Sequence, residues 1–180
     1  EADYVDKYFE ELVYPVLTPM ALDSSRPFPL IRNKTLNIAA LVHKKNSLEE
    51  LEFATVQVPN VLSRIVELPV EGKGKKIILL EEIIERNIQK LFLSNDIVCA
   101  YPFRIMRNAD LTIAEDEAAD LLKEIEKQVK KRQRGEAIRL EVEAGCDKRL
   151  LKILKEELHI EEENIYAIDG ALDRTGLMRV

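Results

Sequence analysis

Four prolines fall between Pro15 and Pro29, and they forbid regular helix or sheet throughout that stretch. Proline fixes its own φ and offers no backbone donor. Val16, Leu17, Met20, Leu22 and Phe28 are interleaved with the prolines, too many apolar groups for a solvated linker. The segment therefore reads as a rigid strap laid against an apolar surface, which is either its own core or another domain or subunit. On the second alternative, Pro19, Pro27 and Phe28 are the candidate contacts. Ahead of the strap, Tyr4, Val5, Tyr8, Phe9, Leu12 and Val13 recur at helical spacing, so the chain opens with an amphipathic helix that Pro15 ends.

Past the prolines the apolar period changes. Four short strands are expected at residues 36–43, 53–58, 64–68 and 76–80. The first is apolar almost throughout and suits a central strand covered on both faces. The second alternates Ala54, Val56 and Val58 with Phe53, Thr55 and Gln57, the period of a half-buried strand. Short polar turns between them, such as Glu71-Gly72-Lys73-Gly74, predict an antiparallel meander. A helix follows at 81–92, with Ile84, Ile88, Leu91 and Phe92 inside, Glu81 and Glu82 in its first turn and Lys90 in its last.

Residues 96–105 read as a strand and 107–110 as a turn. The longest helical pattern runs over 115–133, striped by Ala118, Leu121, Leu122, Ile125 and Val129, and ends in a basic cluster at 130–134 before Gly135. In a strand at 137–142, Ile138, Leu140 and Val142 face one way and Ala137, Arg139 and Glu141 the other. Asp147 is placed to cap a helix with Leu150, Leu151, Leu154 and Leu158 inside, and 164–168 closes as a strand. This order implies one α+β domain over residues 1–180, a mixed, largely antiparallel sheet with packed helices.

The apolar share of 46% and charged share of 33% are those of an ordinary globular chain. A net charge of −6 argues against a nucleic-acid partner, which needs a basic face. No apolar run approaches the roughly 20 residues of a membrane span, and no signal pattern opens the chain. Cys99 and Cys146 form no CxxC; both read as unreactive structural thiols, Cys99 as a small core residue, the alternative for Cys146 being a thiolate favoured by the helix start it precedes. A reducing cytoplasm fits this usage. The chain begins at Glu1 without an initiator Met and ends on an apolar-rich tail, as a piece excised from a longer multidomain polypeptide does.

Groups that carry chemistry are few. His43, in the polar loop 43–46, and His159, at a helix end, belong to no metal-binding or nucleophile–base pattern and read as surface or capping residues. No GxSxG is present. The segment 72–76 lacks the spacing and hydroxyl of a P-loop and reads as a solvated hairpin. Glu81-Glu82 and the run 161–163 read as solvated faces or caps. Neither a catalytic residue nor a metal ligand is expected. The arginines say more: Arg104 and Arg107 flank a strand end, and Arg139 emerges on the polar face of the next strand. Guanidinium forks suit phosphate oxygens, so the three can line an anion path that the 130–134 cluster extends. The competing reading pairs each arginine with a nearby carboxylate and leaves the cluster to complement a helix dipole.

Several of these segments also carry a resemblance. Tyr8-Phe9, Pro15-Val16-Leu17-Thr18-Pro19, Asp23 and Pro27-Phe28-Pro29 resemble the opening of the middle, or head, domain of polyphosphate kinases. Phe103 to Asp110 resembles that family's FR-x-TRNAD block, with Met106 where Thr is usual. Arg134-Gly135, Arg139-Leu140-Glu141-Val142 and Tyr166 to Asp173 continue the match in order, with Ala171 and Arg174 departing from the usual Pro and Leu. The resemblance implies a fold similar to phosphohistidine phosphatases. It implies a parent enzyme that moves the terminal phosphate of ATP reversibly onto polyphosphate, with Mg²⁺ and through a phosphohistidine outside this chain. It further implies that this domain helps wall the polyphosphate tunnel and supports homo-oligomer contacts alongside the other domains. The alternative is a purely structural assembly module that binds no anion.

Overall fold

The computed structural model of the chain describes residues 1–22, 27–45, 51–70, 72, 74–108 and 135–179. Its centre is one strand, β2 (Leu36–Lys44), in which Ile38, Ala39, Ala40, Leu41 and Val42 are all fully buried. Successive side chains of a strand point to opposite faces, so this unbroken apolar run requires a cover on both. Leu36, Ile38, Ala40 and Val42 belong to one core and Ala39 and Leu41 to a second.

Around β2 a six-stranded sheet runs in the order β1 (Met20–Ala21), β3 (Leu51–Gln57), β2, β6 (Asn95–Arg107), β7 (Ala137–Glu143) and β8 (Ile165–Ile168). All neighbours are antiparallel except β7 and β8. The parallel pair needs a crossover. Helix α4 (Lys148–Leu158) provides it, with Leu150, Leu154 and Leu158 buried and the Asp147 carboxylate accepting from the Arg149 amide as the sequence predicts.

The first core is closed by α1 (Ala2–Tyr8), its π-helical continuation Phe9–Val13, α2 (Leu80–Arg86) and α3 (Ile88–Leu91). The helix does end at Pro15, in a short 3₁₀ turn (Tyr14–Val16). The strap divides: the Phe28 ring lies 5.0 Å from Phe53 and Ile31 is buried in the second core, whereas Pro19 and Pro27 are exposed.

Several expectations are corrected. The strands do not form one meander, because β4 (Ile65–Leu68) and β5 (Lys76–Leu79) pair only with each other, as a separate two-stranded sheet. β3 is not half-buried: Phe53, Ala54, Thr55 and Val56 are all buried, and the Thr55 hydroxyl is satisfied by the Ile38 carbonyl at 2.9 Å. The helix expected at 81–92 breaks at Asn87. Its side chain donates to the Ile83 carbonyl and to Asp6, competing with the helical ladder.

In β7 the alternation is broken at its start, with Ala137 buried and Ile138 exposed. The register with β6 slips between Met106 and Arg107, and such a bulge changes which face a residue occupies. His43 is the penultimate residue of β2 rather than a loop residue, because that strand extends to Lys44. The helix expected at 115–133 and its basic end lie outside the described residues.

Truncating Leu154, fully buried between α4 and the sheet, removes methylenes from a packed core. Leu154→Ala is expected to cost about 2–5 kcal/mol, read as a lower urea midpoint with an unchanged slope.

Candidate functional site

The strand registers place Leu36, Arg104, Glu141 and Tyr166 side by side across β2, β6, β7 and β8. At Leu36 this face is apolar core; from Arg104 onward it turns polar. Arg139, opposite Met106, lies one step along the same face.

Two of the three arginines singled out by the sequence are thereby brought together on one carboxylate. Arg104 Nη1 lies 3.6 Å and Arg139 Nε 2.9 Å from the two oxygens of Glu141, which is itself buried. The Arg139 contact is an ion pair without hydrogen-bond alignment, and its guanidinium stacks 4.1 Å from the Tyr166 ring centre. Arg104 also lies 3.7 Å from Asp173 and donates to the Lys34 carbonyl at 3.3 Å.

Arg107 stands apart. Its guanidinium donates to the carbonyls of Ile31 and Gly135, its amide donates to Asn33 Oδ1, and burial pushes its pKa down. It stitches the strap to the start of β7.

A fourth arginine, Arg64, missed in the sequence, completes the network. Arg64 Nε bridges both Glu81 oxygens at 3.1 Å, and its two terminal nitrogens donate to the carbonyls of Leu172 and Asp173. Glu81 is only 4% exposed, so it is no solvated residue; it is the buried counter-charge of Arg64. Glu82 caps as expected, accepting from the Leu79 amide at 2.9 Å. No local pattern announces the Arg64 contact, because its partners lie 17 and 108 residues away along the chain.

Asp173, held at φ 46° in the left-handed region, separates two cavities. One of about 560 Å³ is lined by Arg104, Glu141, Asp169, Asp173 and Arg174, among others. Another of about 340 Å³ is lined by Lys34, Thr35, Gln57, Asn60, Arg64 and Asp173, among others.

Among the described residues the remaining titratable groups show no nucleophile–base pair. Among the described residues no three His, Cys, Asp or Glu side chains are gathered so as to hold a metal ion. Burial pushes the Cys146 thiol up to about 12, against the thiolate alternative at the helix start and in line with a small packed residue. His43 Nδ1 is buried without a hydrogen-bond partner among the described residues. Burial first, then Glu143, Glu81 and Glu82, pushes the Glu85 carboxyl up to about 8. What the site presents to a ligand is a pair of guanidinium groups whose charge is partly offset by Glu141. Phosphate oxygens and carboxylates compete for the same fork.

The family model described as polyphosphate kinase middle domain matches residues 1–180. The chain belongs to the polyphosphate kinase family, as its middle domain. It is 46% identical over 181 residues to the polyphosphate kinase of Bacillus anthracis, covering 98% of this chain and 26% of that protein. To the polyphosphate kinase of Halalkalibacterium halodurans it is 45% identical over 181 residues, covering 100% of this chain and 26% of that protein. The chain thus spans about a quarter of the length of these relatives. The crystal structure of polyphosphate kinase from Porphyromonas gingivalis superposes with a TM-score of 0.76 at 21% identity, covering 99% of this chain and 25% of that one, and so shares the fold. No helix among the described residues is long and apolar enough to cross a membrane.

Removing one partner of the Arg64–Glu81 pair strands a buried charge. Arg64→Met is expected to cost about 3–5 kcal/mol, and Arg64→Met/Glu81→Met to recover most of that, in a urea double-mutant cycle. For Glu85 the folded pKa lies above the ordinary value of 4.5. The folded state therefore holds the extra proton, and stability is lost as pH rises from 4.5 through about 8. Glu85→Gln is expected to raise the urea midpoint at pH 9 and leave it nearly unchanged at pH 4.5.

Proposed function

We propose that this chain is a non-catalytic wall and scaffold of a larger polyphosphate kinase. The complete polypeptide reversibly transfers the terminal phosphate of ATP to polyphosphate through a phosphohistidine carried by another of its domains. ATP and Mg²⁺ are engaged chiefly outside this chain. Arg104 and Arg139 guide the polyphosphate, and the domain contributes to homo-oligomer contacts of a cytoplasmic enzyme. The observation that carries this reading is the Arg104–Glu141–Arg139 cluster, which sets two guanidinium groups on one sheet face, Arg139 with 38% of its side chain accessible. Arg107, the third candidate, contributes by holding the strap through its carbonyl partners. The fold belongs with those similar to phosphohistidine phosphatases, and that similarity carries no phosphatase activity with it.

A second reading, an assembly module that binds no anion, is favoured by a different surface. Leu12, Tyr14, Val16, Met20 and Leu30 are each 41–50% exposed along the opening helix and strap. That many large apolar side chains suit a surface covered by another part of the polypeptide or by a second copy. Pro19 and Pro27 lie exposed in the same strap and belong to this surface.

Titration with long-chain polyphosphate at two salt concentrations separates the two. Guidance predicts salt-sensitive binding that weakens at least tenfold in Arg104→Ala/Arg139→Ala. Equal binding by wild type and variant overturns guidance and leaves the assembly reading.

A further inference from the structure

The arginines of this region divide by how their donors are used. Arg64 spends its guanidinium on Glu81 and on the carbonyls of Leu172 and Asp173. Arg107 donates to the carbonyls of Ile31 and Gly135, and Arg174 to those of Asp169 and Ala171. All three are tied to the backbone.

Arg104 and Arg139 are held differently. Arg104 Nη1 stands 3.6 Å from Glu141 and Nη2 3.7 Å from Asp173, charge contacts beyond hydrogen-bond reach. Among the described residues, the hydrogen bond Arg104 does make runs from Nε to the Lys34 carbonyl. Arg139 Nε is buried 2.9 Å from Glu141, yet it is misaligned and has no hydrogen-bond partner among the described residues. Three guanidinium nitrogens therefore face carboxylates without being saturated by them. Both side chains can be reached: Arg104 lines the larger cavity with Glu141 and Asp173, and Arg139 keeps 38% of its side chain accessible.

The two cations are matched by two anions, Glu141 and Asp173, so the group carries no net charge. A polyanion arriving here gains hydrogen bonds that the carboxylates leave unmade. It must also outcompete carboxylates fixed in place, whose effective concentration at the forks is high. Such a balance gives a short hold on each phosphoryl group, which suits a chain that advances by one unit per transfer.

We propose, resting on the guidance reading above, that Glu141 is a resident counter-anion that weakens the hold of Arg104 and Arg139 on polyphosphate and so keeps the chain moving. It acts through the two arginines, as a positioning residue. Asp173 supports it more weakly, because it meets Arg104 alone of the pair and also accepts from the Thr175 hydroxyl.

The test titrates the full polypeptide with long-chain polyphosphate, without ATP, and compares Glu141→Gln, which keeps the shape and removes the charge. Expected is binding about tenfold tighter, with log affinity falling against log salt more steeply by about one unit. In turnover, KM for polyphosphate and kcat should both fall severalfold, whereas a merely structural role for Glu141 would raise KM. The gain should vanish in Arg104→Ala/Arg139→Ala/Glu141→Gln, because it passes through the arginines. Glu157→Gln, at an exposed carboxylate on α4, should bind like the wild type. Asp173→Asn, tolerated at that left-handed position, should gain about threefold and decides the matter if Glu141→Gln does not fold. No gain in the folded variant, or a gain that survives loss of both arginines, overturns the proposal while leaving guidance intact. Wild-type binding by Arg104→Ala/Arg139→Ala removes guidance itself, and the proposal with it.

Discussion

Double-sided burial of β2 is the constraint from which the rest of this fold follows. Five consecutive residues, Ile38 to Val42, have no exposure, so apolar layers must stand on both faces of the sheet at that point. α1, its π continuation and α2 supply one layer; α4, Phe28 and Ile31 supply the other. At roughly 25 cal/mol per Å² of apolar surface, these two layers are the main favourable term in folding. On the side of the sheet toward β7 and β8 the face turns polar, with Arg139 and Tyr166 reaching the surface over the buried Glu141.

Charge is then handled by pairing rather than by exposure. The buried Glu81 and Glu141 are matched by Arg64, Arg104 and Arg139, and Asp173 sits between Arg64 and Arg104. An ion pair this sheltered is weak evidence for added stability, because desolvation offsets most of the attraction. Its effect is positional: one guanidinium group ties the segment before β4 to α2 and to the backbone at 172–173. Both cavities take part of their walls from that junction, so their shape depends on a contact invisible to local sequence.

Much of the fold was legible because it was periodic. The centrality of β2, the opening helix and its end at Pro15, the β6 strand and the Asp147-capped helix follow from apolar spacing and single capping residues. Failures occurred where a tertiary contact or a bulge overrode the pattern. Asn87 broke a helix through its side chain, the slip at Met106–Arg107 turned Ile138 outward, and β4–β5 left the main sheet. In the site, Arg104 and Arg139 were identifiable as strand-end arginines, but their common partner was not. The meeting of Arg64 with Glu81 and Asp173 gave no signal because it spans 17 and 109 residues of chain.

The parallel pairing of β7 with β8 has a consequence for biosynthesis. Antiparallel neighbours β2 and β6 can zip together as soon as both have left the ribosome. β7 cannot complete its outer ladder until α4 has been made and has crossed over. In that interval the outer edge from Leu140 to Glu143 presents unpaired amides and carbonyls to the surroundings. Charged residues along that transient edge, Arg139, Glu141 and Glu143, oppose adhesion between nascent chains.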